Sequence, residues 1–370
     1  MRYTRMTIEL ESPEQLGYGT IRNNLSESSV ADRRLGDLGV RLDDILLCYG
    51  DHRGAPDLRA EIAAMGTGLA PDNVLVTAGA AGALFIIATS LLKAGDHIVV
   101  VRPNYATNIE TPRAIGADIS FIDLRFEDGY RLDLAAVEAA IRPDTKYLSI
   151  TYPHNPSGVM LSEAELRAVV TLVERKGIRL LFDETYREMS RGPMLPVAAG
   201  LSERVISVSS LSKSHGIPGI RIGWLVTKDA ALMETFLAAR EQIGISGSMV
   251  DEYIAYVALS RRAAWREFNQ PRIDSALSVV RDWIAGEPLV EWVEPSGGCV
   301  CFPRIVSSAK VDLARFYDRL YRVHGTYVGR GSWFEMDDRY FRIGYAWPTQ
   351  AELRAGLAAI SAALRESLET

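Results

Sequence analysis

Lys213 lies in the run SVSSLSKSHGIPGIRIGW, residues 207–224. An apolar stretch (Val205, Ile206, Val208) ends there in a serine-rich turn, and Gly216, Pro218 and Gly219 keep the following backbone from settling into a helix. A lysine held as a free amine at such a strand end forms a Schiff base with an aldehyde. Ser210, Ser212 and Arg221 place two hydroxyls and a guanidinium around it, the groups that hold a phosphate attached to that aldehyde. Upstream, the β-branched run 73–78 ends in Gly79, Ala80 and Ala81. Small residues at a helix start let a phosphate approach the backbone N–H groups. This cradle suits one phosphate, because neither a G-x-x-x-x-G-K-[ST] loop nor a G-x-G-x-x-G fingerprint is present. Asp183 closes the short apolar run 179–182, at a strand's carboxyl end, where α/β proteins place site residues.

In this order the segments resemble the anchors of the class I and II aminotransferases, pyridoxal-phosphate enzymes of the aspartate-aminotransferase-like fold (fold type I). The resemblance is carried by S-x-[SA]-K-x-x-x-x-P-G-x-R-x-G at residues 210–223, Y-x-x-x-x-G-x-x-x-L-R at 49–59, Asn155-Pro156-Ser157-Gly158, the G-G-x-x-x-x-P stretch 297–303 and Phe341-Arg342-Ile343-Gly344. It runs from Tyr49 to Arg342, nearly the whole chain. It departs from the family's pattern at Arg330, which stands where the V-x-P-G-x-x-F loop usually has proline.

The resemblance implies pyridoxal 5'-phosphate as cofactor, no metal, and ping-pong transfer of an L-amino acid's amino group to a 2-oxo acid through a Lys213 Schiff base. By the same resemblance Asp183 pairs with the protonated pyridine nitrogen. Asn155 and Tyr186 hydrogen-bond the phenolic oxygen, Tyr105 stacks on the ring, and Arg342 clamps the substrate carboxylate. A homodimer with shared active sites is implied: Tyr49 reaches the partner's phosphate, as does Ser246 or Ser248 in the bend 244–248. Where relatives carry a Gly-rich segment, this chain reads Asn24-Leu25-Ser26-Glu27-Ser28. Glu27 faces a cationic substrate tail, caps a helix starting near Ser28, or is simply solvated. The stretches H-N-P-S-G, I-P-G-I-R-I-G-W and G-G-C-V-C-F-P-R are also similar to capreomycidine-synthase-like enzymes that process arginine. A specialised oxidase, cyclase or eliminase on a basic amino acid therefore stands beside transamination. A sensor domain of a transcription regulator is the non-catalytic reading. The intact lysine and the lack of a basic N-terminal domain weigh against it.

These residues need a scaffold of alternating strands and helices. Apolar runs 73–78, 97–101, 118–124, 146–152 and 179–182 read as strands, with a helix over 82–92. The alternation from 73 to 225 predicts a mainly parallel sheet sandwiched by helices. Helical periodicity follows at 230–242, 250–268, 273–285 and 350–368, with strands at 290–294 and 298–303. The expected organisation is an N-terminal arm and part of the small domain (1–48), a large cofactor-binding domain (49–268) and a smaller α+β C-terminal domain (269–370). His154, Cys299 and Cys301 read as packing residues.

The chain has 370 residues, 48% of them hydrophobic and 24% charged, with ample core material for two domains. A net charge of -6 argues against nucleic acid and anionic membranes as partners. Three cysteines without C-x-x-C spacing fit neither a disulfide framework nor a zinc site, and a cytoplasmic setting is expected.

Overall fold

The structure is a computed structural model and describes residues 1–369. Its centre is a seven-stranded sheet: β1 (Val74–Ala78), β2 (His97–Arg102), β3 (Asp118–Asp123), β4 (Thr145–Thr151), β5 (Arg179–Asp183), β6 (Val205–Ser210) and β7 (Ile222–Val226), in the spatial order β1-β7-β6-β5-β4-β2-β3. All neighbours are parallel except β7, which runs against both β1 and β6. The sheet is the mainly parallel one the alternation predicts. Its strands read as continuous apolar runs because both faces are covered.

On one face, helices Gly79–Leu91 and Ala230–Gly244 pack on Leu75, Ile98, Val100, Ile206 and Leu225. On the other, helix Glu163–Lys176 packs on Val99, Leu148, Ile150 and Leu180. That helix starts with a capping box between Ser162 and Glu165 and ends at left-handed Gly177, with Arg175 and Lys176 on the negative end of its dipole.

A second core lies towards the C-terminus. Strand Phe341–Gly344 runs antiparallel between Val300–Cys301 and Gly329–Arg330, under helices Leu313–Arg322 and Gln350–Glu366. Leu25 of the N-terminal segment is fully buried in this core, and Asn23–Asn24 pairs with Thr326–Tyr327.

Two expectations are corrected here. The helix expected over 250–268 breaks at Arg261 into Met249–Ser260 and Arg262–Gly286. The second of these runs on through Pro271 and Ile273, so the change expected at residue 269 falls inside one helix. No helix begins near Ser28: residues 25–34 are irregular, and the next helix is Leu35–Leu38. Glu27 therefore caps nothing. No described helix is long and apolar enough to cross a membrane.

Candidate active site

The strands β1, β2, β4, β5 and β6 end on one edge of the sheet. That edge collects Gly79, Arg102, Tyr152, Asp183 and the turn after Ser210. Lys213 sits in this turn, half-buried, and its Nζ donates to Oγ of Ser28 at 3.0 Å. Burial pushes its amine below the ordinary lysine range. Arg342 adds to the depression, while Glu27 and Glu14 oppose it.

Asp183 is buried at the end of β5. Thr185 fixes its Oδ1 through both the backbone N–H (3.1 Å) and the hydroxyl (2.6 Å). Burial raises the Asp183 pKa, and hydrogen bonds from Thr185 and Asn108 pull it back. No cation lies within ion-pairing distance of this carboxylate among the described residues. Tyr105 stands nearby, its phenol shifted up by burial and by the Asp183 charge. The Tyr186 hydroxyl is buried without a well-aligned partner.

The residues expected to cradle a phosphate meet where β7 reaches the start of helix Gly79–Leu91. A Cβ on Gly223 would strike the backbone of Gly79 and the amide nitrogen of Ala80, so glycine is what allows strand and helix start to touch. A Cβ on Gly79 would stand 2.6 Å from Nη2 of Arg221. The guanidinium thus abuts the positive end of a helix dipole. Among the described residues its one hydrogen-bond partner is the Pro218 carbonyl at 2.9 Å, and no carboxylate pairs with it. Ser210 is buried beside the half-buried Ser212, whose N–H donates to the Ser210 Oγ at 3.4 Å.

Arg342 is buried on strand Phe341–Gly344. Nη1 donates to Asn155 Oδ1 (3.0 Å), Nη2 donates to the Ser26 carbonyl (2.7 Å), and Nε has no partner. With its oxygen taken, Asn155 is left with its amide donor free. Glu27 is half-buried and accepts from the Tyr18 hydroxyl at 3.0 Å. A Cβ on Gly344 would overlap the Glu27 carbonyl, so glycine lets this segment lie directly on the arginine strand. The charge of Glu27 is felt at Lys213, Arg342 and Cys299.

The structure brings Lys213, Asp183, Tyr186, Tyr105, Asn155, Arg342 and Glu27 to one place, with Arg221, Ser210, Ser212, Gly79, Ala80 and Ala81 at its rim. Tyr49 is not among them. It is 81% exposed and shares an open groove with Ser246 and Ser248. His154 is a packing residue: its Nε2 bonds the Pro103 carbonyl (2.7 Å) and its Nδ1 bonds Ser157 Oγ (2.6 Å). Cys299 and Cys301 are buried thiols, and burial pushes Cys299 up to about 12. Sequence reasoning missed Ser28, Thr185, Asn108 and Tyr18. Thr185, two residues after the aspartate, was open to an Asx-turn reading. Ser28 and Asn108 depend on long-range packing, whereas Tyr18 reaches Glu27 across nine residues.

The cradle, the unneutralised Arg221, the unpaired buried Asp183 and the orphaned Tyr186 hydroxyl fit a molecule with a phosphate, a protonatable ring nitrogen and a ring oxygen. A cavity of about 290 Å³ opens between Arg221 and the bend that carries Gly244, Ser246 and Ser248, and a small one of about 20 Å³ lies behind Ser210 and Ser214; Lys213 lines neither.

This fold and site define a pyridoxal-phosphate enzyme of fold type I. Residues 36–360 match the family aminotransferase class I and II, and the chain belongs to it. Its cofactor is pyridoxal 5'-phosphate. The chain is 31% identical to a capreomycidine synthase of Streptomyces vinaceus over 358 residues, covering 93% of this chain and 90% of that one. It is 30% identical to an arginine–pyruvate transaminase of Pseudomonas aeruginosa over 297 residues, covering 77% and 74%. A solved PLP-dependent aminotransferase from Streptococcus suis superimposes with a TM-score of 0.91 at 28% identity, covering all of both chains.

Proposed function

We propose that the chain is an aminotransferase that moves the amino group of an L-amino acid to a 2-oxo acid in two half-reactions. The observation that carries the reading is the convergence of the Lys213 amine, an unpaired buried Asp183 and a buried Arg342 with a free Nε. The cofactor supplies an aldehyde that condenses with amines and a ring that takes up the electron pair left at the α-carbon. Lys213, its pKa lowered by burial, takes the α-proton at Nζ and returns it. The Asp183 carboxylate holds a proton on the ring nitrogen. Arg342 orients the substrate carboxylate. Asn155 and Tyr186 donate to the ring oxygen.

Glu27 favours a second reading, a specialised reaction on a basic amino acid. It places a carboxylate beside the site, matched to a guanidinium or ammonium tail. One relative is named for a reaction of arginine, an arginine–pyruvate transaminase. The protein loaded with pyridoxal phosphate, given arginine or a neutral amino acid with pyruvate, decides between the two. Stoichiometric alanine and parallel-line initial rates support transamination. Oxygen uptake or a cyclic product without alanine supports the specialised reaction and overturns transamination.

The active unit on this reading is a homodimer. Leu46, Leu47, Tyr49, Ile243 and Ile245 are exposed together around the groove that holds Ser246 and Ser248, a surface that suits a second copy. Ser248 already caps helix Met249–Ser260, which leaves Ser246 as the freer hydroxyl for a partner's phosphate.

A further inference from the structure

The segment 25–33 crosses from the C-terminal core to the lysine turn and is tied down along its length. The Gly344 N–H donates to the Leu25 carbonyl (2.7 Å), and Arg342 donates to the Ser26 carbonyl (2.7 Å). Beyond Glu27, the Val30 N–H donates to the Lys213 carbonyl (3.1 Å) and the Arg33 N–H to the Gly216 carbonyl (2.8 Å). Ser28 lies between these anchors, 5% exposed, with its hydroxyl 3.0 Å from the Lys213 amine. It also lies near the orphaned Tyr186 phenol. A hydroxyl both donates and accepts, so it can serve a neutral amine and an ammonium in turn.

We propose that Ser28 is a positioning residue that holds the free Lys213 amine on line with the substrate α-carbon. The inference rests on the reading of Lys213 as the proton carrier. When the α-proton moves to Nζ, the lysine becomes an ammonium, and one of its N–H groups is donated to Ser28 Oγ. When the proton leaves, Ser28 keeps the neutral amine from swinging away. Ser28 neither gains nor loses a proton overall. Without it the ammonium loses a built-in acceptor, and the amine samples other rotamers. The charged and titratable groups that face Lys213 are Glu27, Glu14, Glu9, Arg342, Cys299 and Asp183, and all remain in a Ser28 variant.

The test compares wild type, Ser28→Ala and Ser28→Thr as full-length chains in two measurements. The first is the pKa of Lys213 in cofactor-free protein, by competitive labelling with trace acetic anhydride and mass spectrometry. The second is loss of the α-hydrogen of a bound amino acid into D2O in the loaded protein. The expected result for Ser28→Ala is a pKa lower by about one unit and exchange slowed on the order of tenfold to a hundredfold. Ser28→Thr should restore both. An unmoved Lys213 pKa in Ser28→Ala overturns the proposal even if exchange slows, since a merely structural loss would do that. Unslowed exchange overturns it as well. If wild type exchanges no α-hydrogen at all, the proton-carrier reading fails, while the labelling result still decides whether Ser28 holds the amine.

Discussion

Arg342 donates through Nη1 to the side-chain oxygen of Asn155 at 3.0 Å, so one contact orients both the residue proposed to receive the substrate carboxylate and the residue proposed for the cofactor oxygen. Asn155→Asp puts a permanent carboxylate on that guanidinium and a like charge beside the ring oxygen. A charge-assisted bond to Arg342 then competes with substrate. KM for the amino acid should rise roughly tenfold to a hundredfold. Steady-state kinetics check this, and an unchanged KM would show that Arg342 does not receive the substrate.

Glu27→Gln keeps the shape that accepts from Tyr18 and removes the charge. On the reading of a cationic substrate, KM for arginine rises about tenfold, while KM for a neutral amino acid stays within a factor of about two. Parallel measurement with both substrates reads the difference. Equal effects on both would assign Glu27 to holding the segment 25–33 in place.

Gly223→Ala tests the cradle. The added methyl meets the backbone of Gly79 and the Ala80 nitrogen, neither of which can rotate away. We expect a loss of about 1–3 kcal/mol in stability and a higher Kd for pyridoxal phosphate, because the helix start is pushed off Arg221. Denaturant melts and cofactor titration follow the two effects separately.

His154 sets a pH dependence of stability. Its pKa is lowered from 6.5 to about 4 by burial. The unfolded chain binds the extra proton between those values, so stability is gained as pH rises through that window and lost as pH falls through it. The size is about 3 kcal/mol. Urea melts near pH 7 and near pH 4.5 should show wild type losing more on acidification than His154→Gln. The variant should be the less stable of the two at neutral pH, because it gives up the ring's bonds to Ser157 and Pro103.

The residues on the large sheet's edge were legible because their signals are local. A strand ending in Asp183, a strand ending at Gly79 and a serine turn before Lys213 each sit in one short window, and apolar runs set their order in a parallel sheet. The break at Arg261 and the unbroken helix through residue 269 were not legible. Apolar periodicity continues across both points, and tertiary packing decides where the chain bends. Ser28 stayed hidden for a related reason. Ser28 meets a partner 185 residues away, and no spacing rule relates residues so far apart. Glu27 was legible as a carboxylate out of place, and the structure removes its helix-capping reading alone, because no helix follows it.

On the proposed reading, Lys213, Asp183 and Arg342 operate pyridoxal phosphate for amino-group transfer. The most direct test is the absorbance spectrum of the purified, loaded protein, recorded with each common L-amino acid and then with a 2-oxo acid, alongside Lys213→Ala. The band of the aldehyde form should give way to that of the amine form with at least one amino acid and return when the 2-oxo acid is added, and Lys213→Ala should do neither. A wild-type protein that takes up no cofactor, or a Lys213→Ala protein that completes the cycle at the wild-type rate, would contradict that reading.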